Sequence, residues 1–378
     1  MAGWELIGKE EKKALNKLID KDGGILLAHG FDKFRKKHHV REFERICSKK
    51  FKSKHCLCVS SGTAAIKVAL RSLGVKAGDE VITQAFNFIA TIEAILDIGA
   101  KPIIANIDSS LNMDPNDLKR LITKKTKAII PVHMLGVSAN MKEILKIAKR
   151  KKIKVLEDNC ESVGGKYNKK FLGTLSDIGV FSFDFAKMIT TGGEGGLVLT
   201  NNSQLYKIAK EYHDHGHQNN PKFPRGNDTK SIYGFNYRMT ELQAAVGKEQ
   251  IKKLNYILKD NKKKYLILNT QIKKNFNIRF IPNNSIPAYD CFIFEVRNKS
   301  LRSKIIKLLN QNGVGTKNLP DALKWHCSFF WPHALPKKQT QRSKKTFKIL
   351  STRIAIPIWQ RIPSNQYLKI AKKISNLI

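Results

Sequence analysis

The sequence predicts an α/β protein: a large unit on a mostly parallel sheet covered by helices, followed by a smaller α+β unit. Two observations carry this. From about residue 56 to 200, apolar runs of strand length alternate with helical patterns, the signature of strand–helix–strand units. After a helical region at about 240–265 the alternation gives way to a shorter mixture of strands and helices. The boundary is expected near residue 255, which divides the chain into 1–255 and 256–378. With 378 residues, 42% of them hydrophobic, the chain has apolar material for a sizeable core and for two or so domains.

The elements follow in order. "CLCV" is a strand running into the helical "AAIKVAL", and "DEVITQ" (79–84) is a strand. "ATIEAILDIGA" (90–100) is a helix stopped by Gly99, and "KPIIANID" (101–108) is a strand. Asp114 before Pro115 reads as an N-cap with proline at the first helical position, opening a helix through Leu121. "AIIPVHM" is a strand, "MKEILKIAKRKK" a helix, and "IKVLED", "IGVFSFD" and "GGLVLT" are strands. In the second unit "CFIFEV" (291–296) is a strand, "SKIIKLLNQNG" (303–313) a helix ended by Gly313, and "RIAIPI" (353–358) a strand before a closing helix.

Composition excludes some classes. No window of about 18 apolar residues exists, so no membrane-spanning helix is expected. The start, Met1-Ala-Gly-Trp-Glu into the charged run at Lys9–Lys13, lacks a signal-peptide pattern, so a cytoplasmic protein is the default. Six cysteines form no C-x-x-C pair and no zinc spacing, and Cys56 and Cys58 read as small core residues on one strand face. Lys plus Arg number 69 against 31 Asp plus Glu, a net charge of +38 that favours polyanions and phosphorylated substrates. The lysines are spread from Lys9 to Lys373 with no aromatic-and-basic RNA signature, so specific nucleic-acid binding is not expected.

Four segments carry chemistry. Ser60-Ser61-Gly62-Thr63 lies between a strand and a helix, where free N–H groups and hydroxyls suit an anion, although the same residues serve as simple caps. Glu157-Asp158 ends a strand, and ligand crevices of open α/β sheets lie at such ends. A carboxylate there suits a metal, a sugar hydroxyl, a protonated ring nitrogen or a turn cap. Lys187 sits between the aromatic Phe181-Ser182-Phe183 and the glycine-rich Gly192–Gly196; its apolar side is expected to lower its pKa. Gly234-Phe-Asn236-Tyr-Arg238 is a turn running into a helix.

In this order the segments resemble the DegT/DnrJ/StrS family of sugar aminotransferases, pyridoxal-phosphate (PLP) enzymes of the type I, aspartate aminotransferase-like fold. The resemblance rests on Ser61-Gly-Thr-Ala-Ala, Phe86-Asn-Phe88, Glu157-Asp158-Asn-Cys-Glu161, Ser182-Phe183 through Lys187 to Gly193-Glu194-Gly195-Gly196, and Asn236-Tyr-Arg238. It implies Lys187 as the lysine that bonds to PLP and shuttles a proton, and Asp158 as the partner of the pyridinium nitrogen. Phe88 would stack on the ring, and Ser61, Gly62, Thr63 and Ser182 would hold the phosphate. Asn236 matches an asparagine that completes the phosphate site of a partner subunit, so a homodimer with shared active sites is implied. Glu161 stands where the family often has Gln, which puts a carboxylate near the cofactor. The Gly192-Gly193 turn is one glycine longer than usual, which is expected to displace the loop after Lys187.

The reaction implied is transfer of an amino group from L-glutamate to a sugar carbonyl. "GWELIG", "HHVREFE" (38–44), "SFDFAK", "HDHGH" (213–217) and "KWHC" (324–327) resemble the subfamily that aminates the C8 aldehyde of an oxidised Kdo for lipopolysaccharide. The alternatives are a nucleotide-sugar aminotransferase acting on a keto-deoxysugar, a sugar dehydratase of the same fold, and a non-catalytic sensor. The dehydratases carry His in place of the lysine, and the sensor would need a DNA-binding module, for which no segment precedes the match at Trp4. His215, Arg238 and His326 are candidate substrate contacts, with dimer bonding for Arg238 and core packing for Trp325 and His326 as the plain readings. His213, His215 and His217 on one strand face would suggest zinc, but no metal is expected.

Overall fold

A computed structural model describes residues 3–22, 37–218, 220, 222–223, 227–228 and 230–377. Helices α1 (Lys9–Lys21) and α2 (His39–Phe51) precede the sheet. β1 (His55–Val59), α3 (Gly62–Ser72), β2 (Glu80–Gln84), α4 (Ala90–Asp97), β3 (Lys101–Ala105), α5 (Pro115–Leu121), β4 (Thr126–Ile130), α6 (Met141–Lys151) and β5 (Lys154–Asp158) then alternate. The punctuation between them is chemical. The chain leaves α4 through Gly99 at φ 80°, a left-handed conformation that costs glycine nothing. Asp114 caps α5 by accepting the Asn116 N–H at 2.9 Å, with Pro115 at the first helical position as its sequence predicts.

The two-residue strands β6 (Lys166–Tyr167) and β7 (Lys170–Phe171) are too short to leave a period in the sequence. β8 (Ile178–Ser182), β9 (Gly196–Thr200) and α7 (Ser203–Tyr212) complete the large unit. β6 and β7 join β10 (Ser285–Ile286) in a small sheet, and the other seven strands form one sheet in the order β1-β9-β8-β5-β4-β2-β3. The sheet is mostly parallel, as expected, with β9 antiparallel to both β1 and β8. That reversal positions the site. An antiparallel pair needs no crossover to the opposite edge, so the link at 183–195 stays where β8 ends. β1 and β5 run with β8 and end at the same edge.

Both faces of the sheet are covered, and the period of two shows it. Leu57, Val59, Ile178, Val180 and Val198 face α3 and α7; Cys56, Cys58, Phe181, Leu197 and Leu199 face the layer holding α2. Cys47 joins Cys56 and Cys58 there, all three as buried free thiols.

α8 (Glu241–Ile272) has 32 residues, about 48 Å of helix. Thr240 and Gln243 form a capping box at its start. Its first half buries Ala244, Ile251 and Leu254 beneath the sheet, and its second half buries Tyr265, Leu268 and Ile272 in the C-terminal core. The boundary expected near residue 255 falls inside this helix. Beyond it come β10 (Ser285–Ile286), β11 (Cys291–Glu295), α9 (Lys299–Gln311), α10 (Leu323–His326), α11 (Lys337–Arg342), α12 (Lys344–Ser351), β12 (Arg353–Pro357) and α13 (Ser364–Ser375). β11 and β12 pair antiparallel, and their Phe292, Phe294, Ile354 and Ile356 pack against Ile305 of α9 and Tyr367 of α13. Among the described residues no helix is long and apolar enough to cross a membrane.

Candidate active site

The edge where β1, β5 and β8 end opens into a cavity of about 410 Å³. α3 starts at one end of it. Ser61 is its N-cap, and Ser61 Oγ accepts the Ala64 N–H at 3.1 Å. Gly62 lies so close to Ser182 that a Cβ added to it would meet the Ser182 Cβ at 2.8 Å. Ser61, Gly62, Thr63 and Ser182 therefore form a tight polar cradle at a helix N-terminus, a place that attracts an anion.

Asp158 closes β5 and is buried in the cavity wall. Thr91 Oγ1 donates to its Oδ2 at 2.9 Å, and the Cys160 N–H donates to its Oδ1 at 3.1 Å. Its neighbour Glu157 faces the other side of the strand. There its carboxylate accepts N–H groups of Gly173, Leu175 and Ser176 at 2.9, 2.6 and 2.8 Å and sits 3.1 Å from His133 Nε2. Of the two adjacent acids, one serves the cavity and the other ties down a loop.

Lys187 follows β8. Its loop is held by Phe183 N–H to Gly195 at 2.8 Å and Phe185 N–H to Gly193 at 2.9 Å. In this turn Gly192 lies at φ 94° and Gly193 at φ 150°, and both Lys187 and Glu194 line the cavity. The Lys187 ammonium contacts the carboxylate of Glu161. Burial works against its charge, but Glu161 leads the groups that hold the amine above the usual lysine range. This corrects the expectation of a lowered pKa: burial is the largest single influence, but the charge and hydrogen bond of Glu161, with Cys160, together outweigh it. Burial likewise opposes the charge on Glu161, and Lys187 and Lys317 overcome it, holding that carboxyl well below the usual range.

Phe88 and His326 stand at the mouth with ring centroids 5.4 Å apart. His326 Nδ1 lies 2.8 Å from the Ala322 carbonyl oxygen, and burial pushes its pKa down. Trp325 beside it is 61% exposed, so it is not core packing. The other candidates lie off the wall of this cavity. Arg238 pairs with the buried carboxylate of Asp214. His215 is exposed in a turn at φ 54°, and Asn236 is exposed, its Oδ1 accepting the Arg238 N–H at 3.4 Å. His213, His215 and His217 do not share a strand face, because His213 ends α7. No group of three His, Cys, Asp or Glu suited to a metal is found among the described residues.

Reasoning from the sequence missed Thr91, Lys317 and Asn318 on the cavity wall. Thr91 lies just past Phe88, on α4, and periodicity marked it only as helix. Lys317 has no motif around it and is one of many lysines.

The residues fit PLP. The cradle at Gly62 would suit a phosphate, Asp158 would offer a carboxylate to a protonated ring nitrogen, and Lys187 would offer an amine to an aldehyde. Glu161 Oε2 is buried without a hydrogen-bond partner, 3.6 Å from the Lys317 ammonium.

Comparison with known proteins agrees. The sequence pattern of the DegT/DnrJ/EryC1/StrS aminotransferase family matches residues 26–375. GDP-perosamine synthase of Escherichia coli O157:H7 is 37% identical over 57% of this chain, which spans 58% of that protein's length. A 3-oxo-glucose-6-phosphate:glutamate aminotransferase of Bacillus subtilis is 33% identical over 75% of this chain and 64% of its own. Among solved structures, GDP-4-keto-6-deoxymannose-3-dehydratase with a trapped PLP-glutamate geminal diamine superposes with a TM-score of 0.80 and 25% identity, covering 98% of each chain. The polar cradle, the buried aspartate and the loop lysine thus sit in a chain that follows one pattern from residue 26 to 375: it belongs to the DegT/DnrJ/EryC1/StrS aminotransferase family.

Proposed function

We propose that this chain is a PLP-dependent aminotransferase that moves an amino group from L-glutamate to a carbonyl of a sugar. One observation carries the reading: Lys187, Asp158 and the Ser61–Thr63 cradle face a single cavity. When bound, PLP supplies an electron sink for the bond that breaks at the amino-bearing carbon. The chain's own residues do the rest. The α3 N-terminus and Ser182 anchor a phosphate. Asp158, oriented by Thr91 and Cys160, holds a proton at the ring nitrogen. Lys187 carries a proton to and from the reacting carbon. Phe88 covers one ring face.

A homodimer is part of the proposal. Asn236 is exposed and off the wall of its own cavity, which suits service to a partner's phosphate site. The exposed Tyr233 and Phe235 pack with Tyr212 into an aromatic patch beside it, as a surface awaiting a second copy would. Lys187 disfavours the dehydratase reading, whose members have His there.

For the acceptor we propose the C8 aldehyde of an oxidised Kdo, on the segments that resemble that subfamily. Relatives are named for nucleotide-linked or phosphorylated sugars, and these are the competing acceptors. The test is an absorbance spectrum of the PLP-loaded protein. L-Glutamate is expected to bleach a band near the visible edge, Lys187→Ala to lack it, and the correct acceptor to restore it. A band indifferent to glutamate and to Lys187 overturns the transaminase reading.

A further inference from the structure

Four charged side chains of alternating sign run from the cavity into the joint with the C-terminal unit. Lys187 contacts Glu161, Lys317 Nζ lies 3.6 Å from the Glu161 carboxylate, and Lys317 contacts Asp290. The side chains of Glu161, Lys317 and Asp290 are no more than 7% exposed. Glu161 comes from the loop after β5, Lys317 from the segment after α9, and Asp290 immediately precedes β11. A lysine buried this deeply is retained only with partners that compensate its desolvation, and both partners here are carboxylates. One of them is the group that grips the reacting amine.

We propose that Lys317, anchored by Asp290, is a positioning residue that divides the Glu161 carboxylate between two ammonium groups and so loosens its hold on the Lys187 proton. This rests on the reading of Lys187 as the lysine that bonds to PLP. With Glu161 serving Lys187 alone, the nitrogen would keep its proton to higher pH. With Lys317 present, Lys187 loses its proton more readily, and Glu161 stays ionised because a cation remains beside it. In that loss the N–H bond breaks, the nitrogen keeps the electron pair, and the proton leaves to solvent through the cavity mouth.

Other titratable groups surround the alternating chain. Cys160 precedes Glu161, Asp158, Asp184, Glu194 and His326 line the same cavity as Lys187, and Cys291 neighbours Lys317. None of these belongs to the alternating chain, so substitutions within the chain can be read by sign. Removing an anion lowers the pKa of the Lys187 nitrogen; removing a cation raises it.

The experiment is a pH titration of the cofactor's absorbance in the PLP-loaded enzyme, which reports the proton on the nitrogen bonded to it. Glu161→Gln is expected to lower the midpoint by about one to three pH units. Lys317→Met is expected to raise it by roughly one unit, Asp290→Asn to lower it by less, and Lys317→Arg to restore the wild-type midpoint. Simple loosening of the joint would free Glu161 and lower the midpoint, opposite to the Lys317→Met prediction. Lys317→Met with an unchanged or lowered midpoint overturns the inference, and Lys317→Arg shows whether the site tolerates substitution there. Borohydride reduction followed by mass analysis locates the bonded lysine in each variant. Attachment away from Lys187 overturns the underlying reading and the inference with it; attachment at Lys187 with a charge-insensitive titration overturns the inference alone.

Discussion

Glu157 and Asp158 are adjacent and chemically alike, yet the pleat sends them to opposite faces of β5. Glu157 neutralises a cluster of buried N–H groups, so Glu157→Ala leaves those donors unsatisfied. It is expected to cost about 3 kcal/mol or more of stability in a urea melt. Asp158→Asn keeps the Thr91 and Cys160 contacts within reach and removes only the charge. It should leave the melt near wild type and lower kcat by roughly 10²–10³-fold, the usual loss of one preorganised electrostatic partner. A pair of melts and a pair of turnover numbers check both. Legibility at this scale followed motif context. Lys187 was readable among so many lysines because an aromatic strand and a glycine turn flank it. Lys317 was not, because its importance comes from Glu161 and Asp290, each distant from it in sequence.

At the scale of elements, capping residues placed α5 and glycines the C-terminal ends of α4 and α9 without help from tertiary contacts, whereas α9 starts four residues earlier than expected, at the Asn298 cap. α8 shows the same local logic: Thr240 Oγ1 accepts the Gln243 N–H at 3.3 Å while Gln243 Oε1 accepts the Thr240 N–H at 2.8 Å. Thr240→Ala is expected to cost about 1 kcal/mol, seen as a lower urea midpoint, because the first turn of α8 loses its cap. The histidine-rich stretch went the other way. Its alternation at 213, 215 and 217 looked like a strand face, but His213 closes α7 and His215 adopts a left-handed turn. Alternation over so few residues does not distinguish a strand from a helix end followed by a turn.

The whole molecule sets two further expectations. Burial of α2 on the sheet pushes Glu44 up to about 7, against a hydrogen bond from the Cys58 N–H at 2.8 Å. The folded chain therefore binds that proton more tightly than the unfolded chain. Glu44 contributes stability that is full below pH 4.5 and lost as pH rises through about 7. Glu44→Gln, neutral at every pH, is expected to exceed wild type by on the order of 2 kcal/mol at pH 8 and to match it near pH 4, in paired denaturation curves. The proposed dimer predicts complementation. Lys187→Ala and Asn236→Ala are each expected to be inactive alone. Mixed and allowed to exchange subunits, they form heterodimers with one intact site of two, and regained turnover measures it.

Much was settled by the sequence alone. Local chemistry placed the longer strands of the large sheet and most of the helices between them, and motif order placed Ser61–Thr63, Asp158 and Lys187 in one family's pattern, because caps, turns and catalytic residues act over a few neighbouring positions. What faces what belonged to the tertiary structure. The antiparallel insertion of β9, the continuous α8 across the expected boundary, the division of labour between Glu157 and Asp158, and the meeting of Glu161 with Lys317 all depend on contacts between segments distant along the chain. Charge and burial at such contacts are properties of the packed fold, and no local stretch of residues carries them.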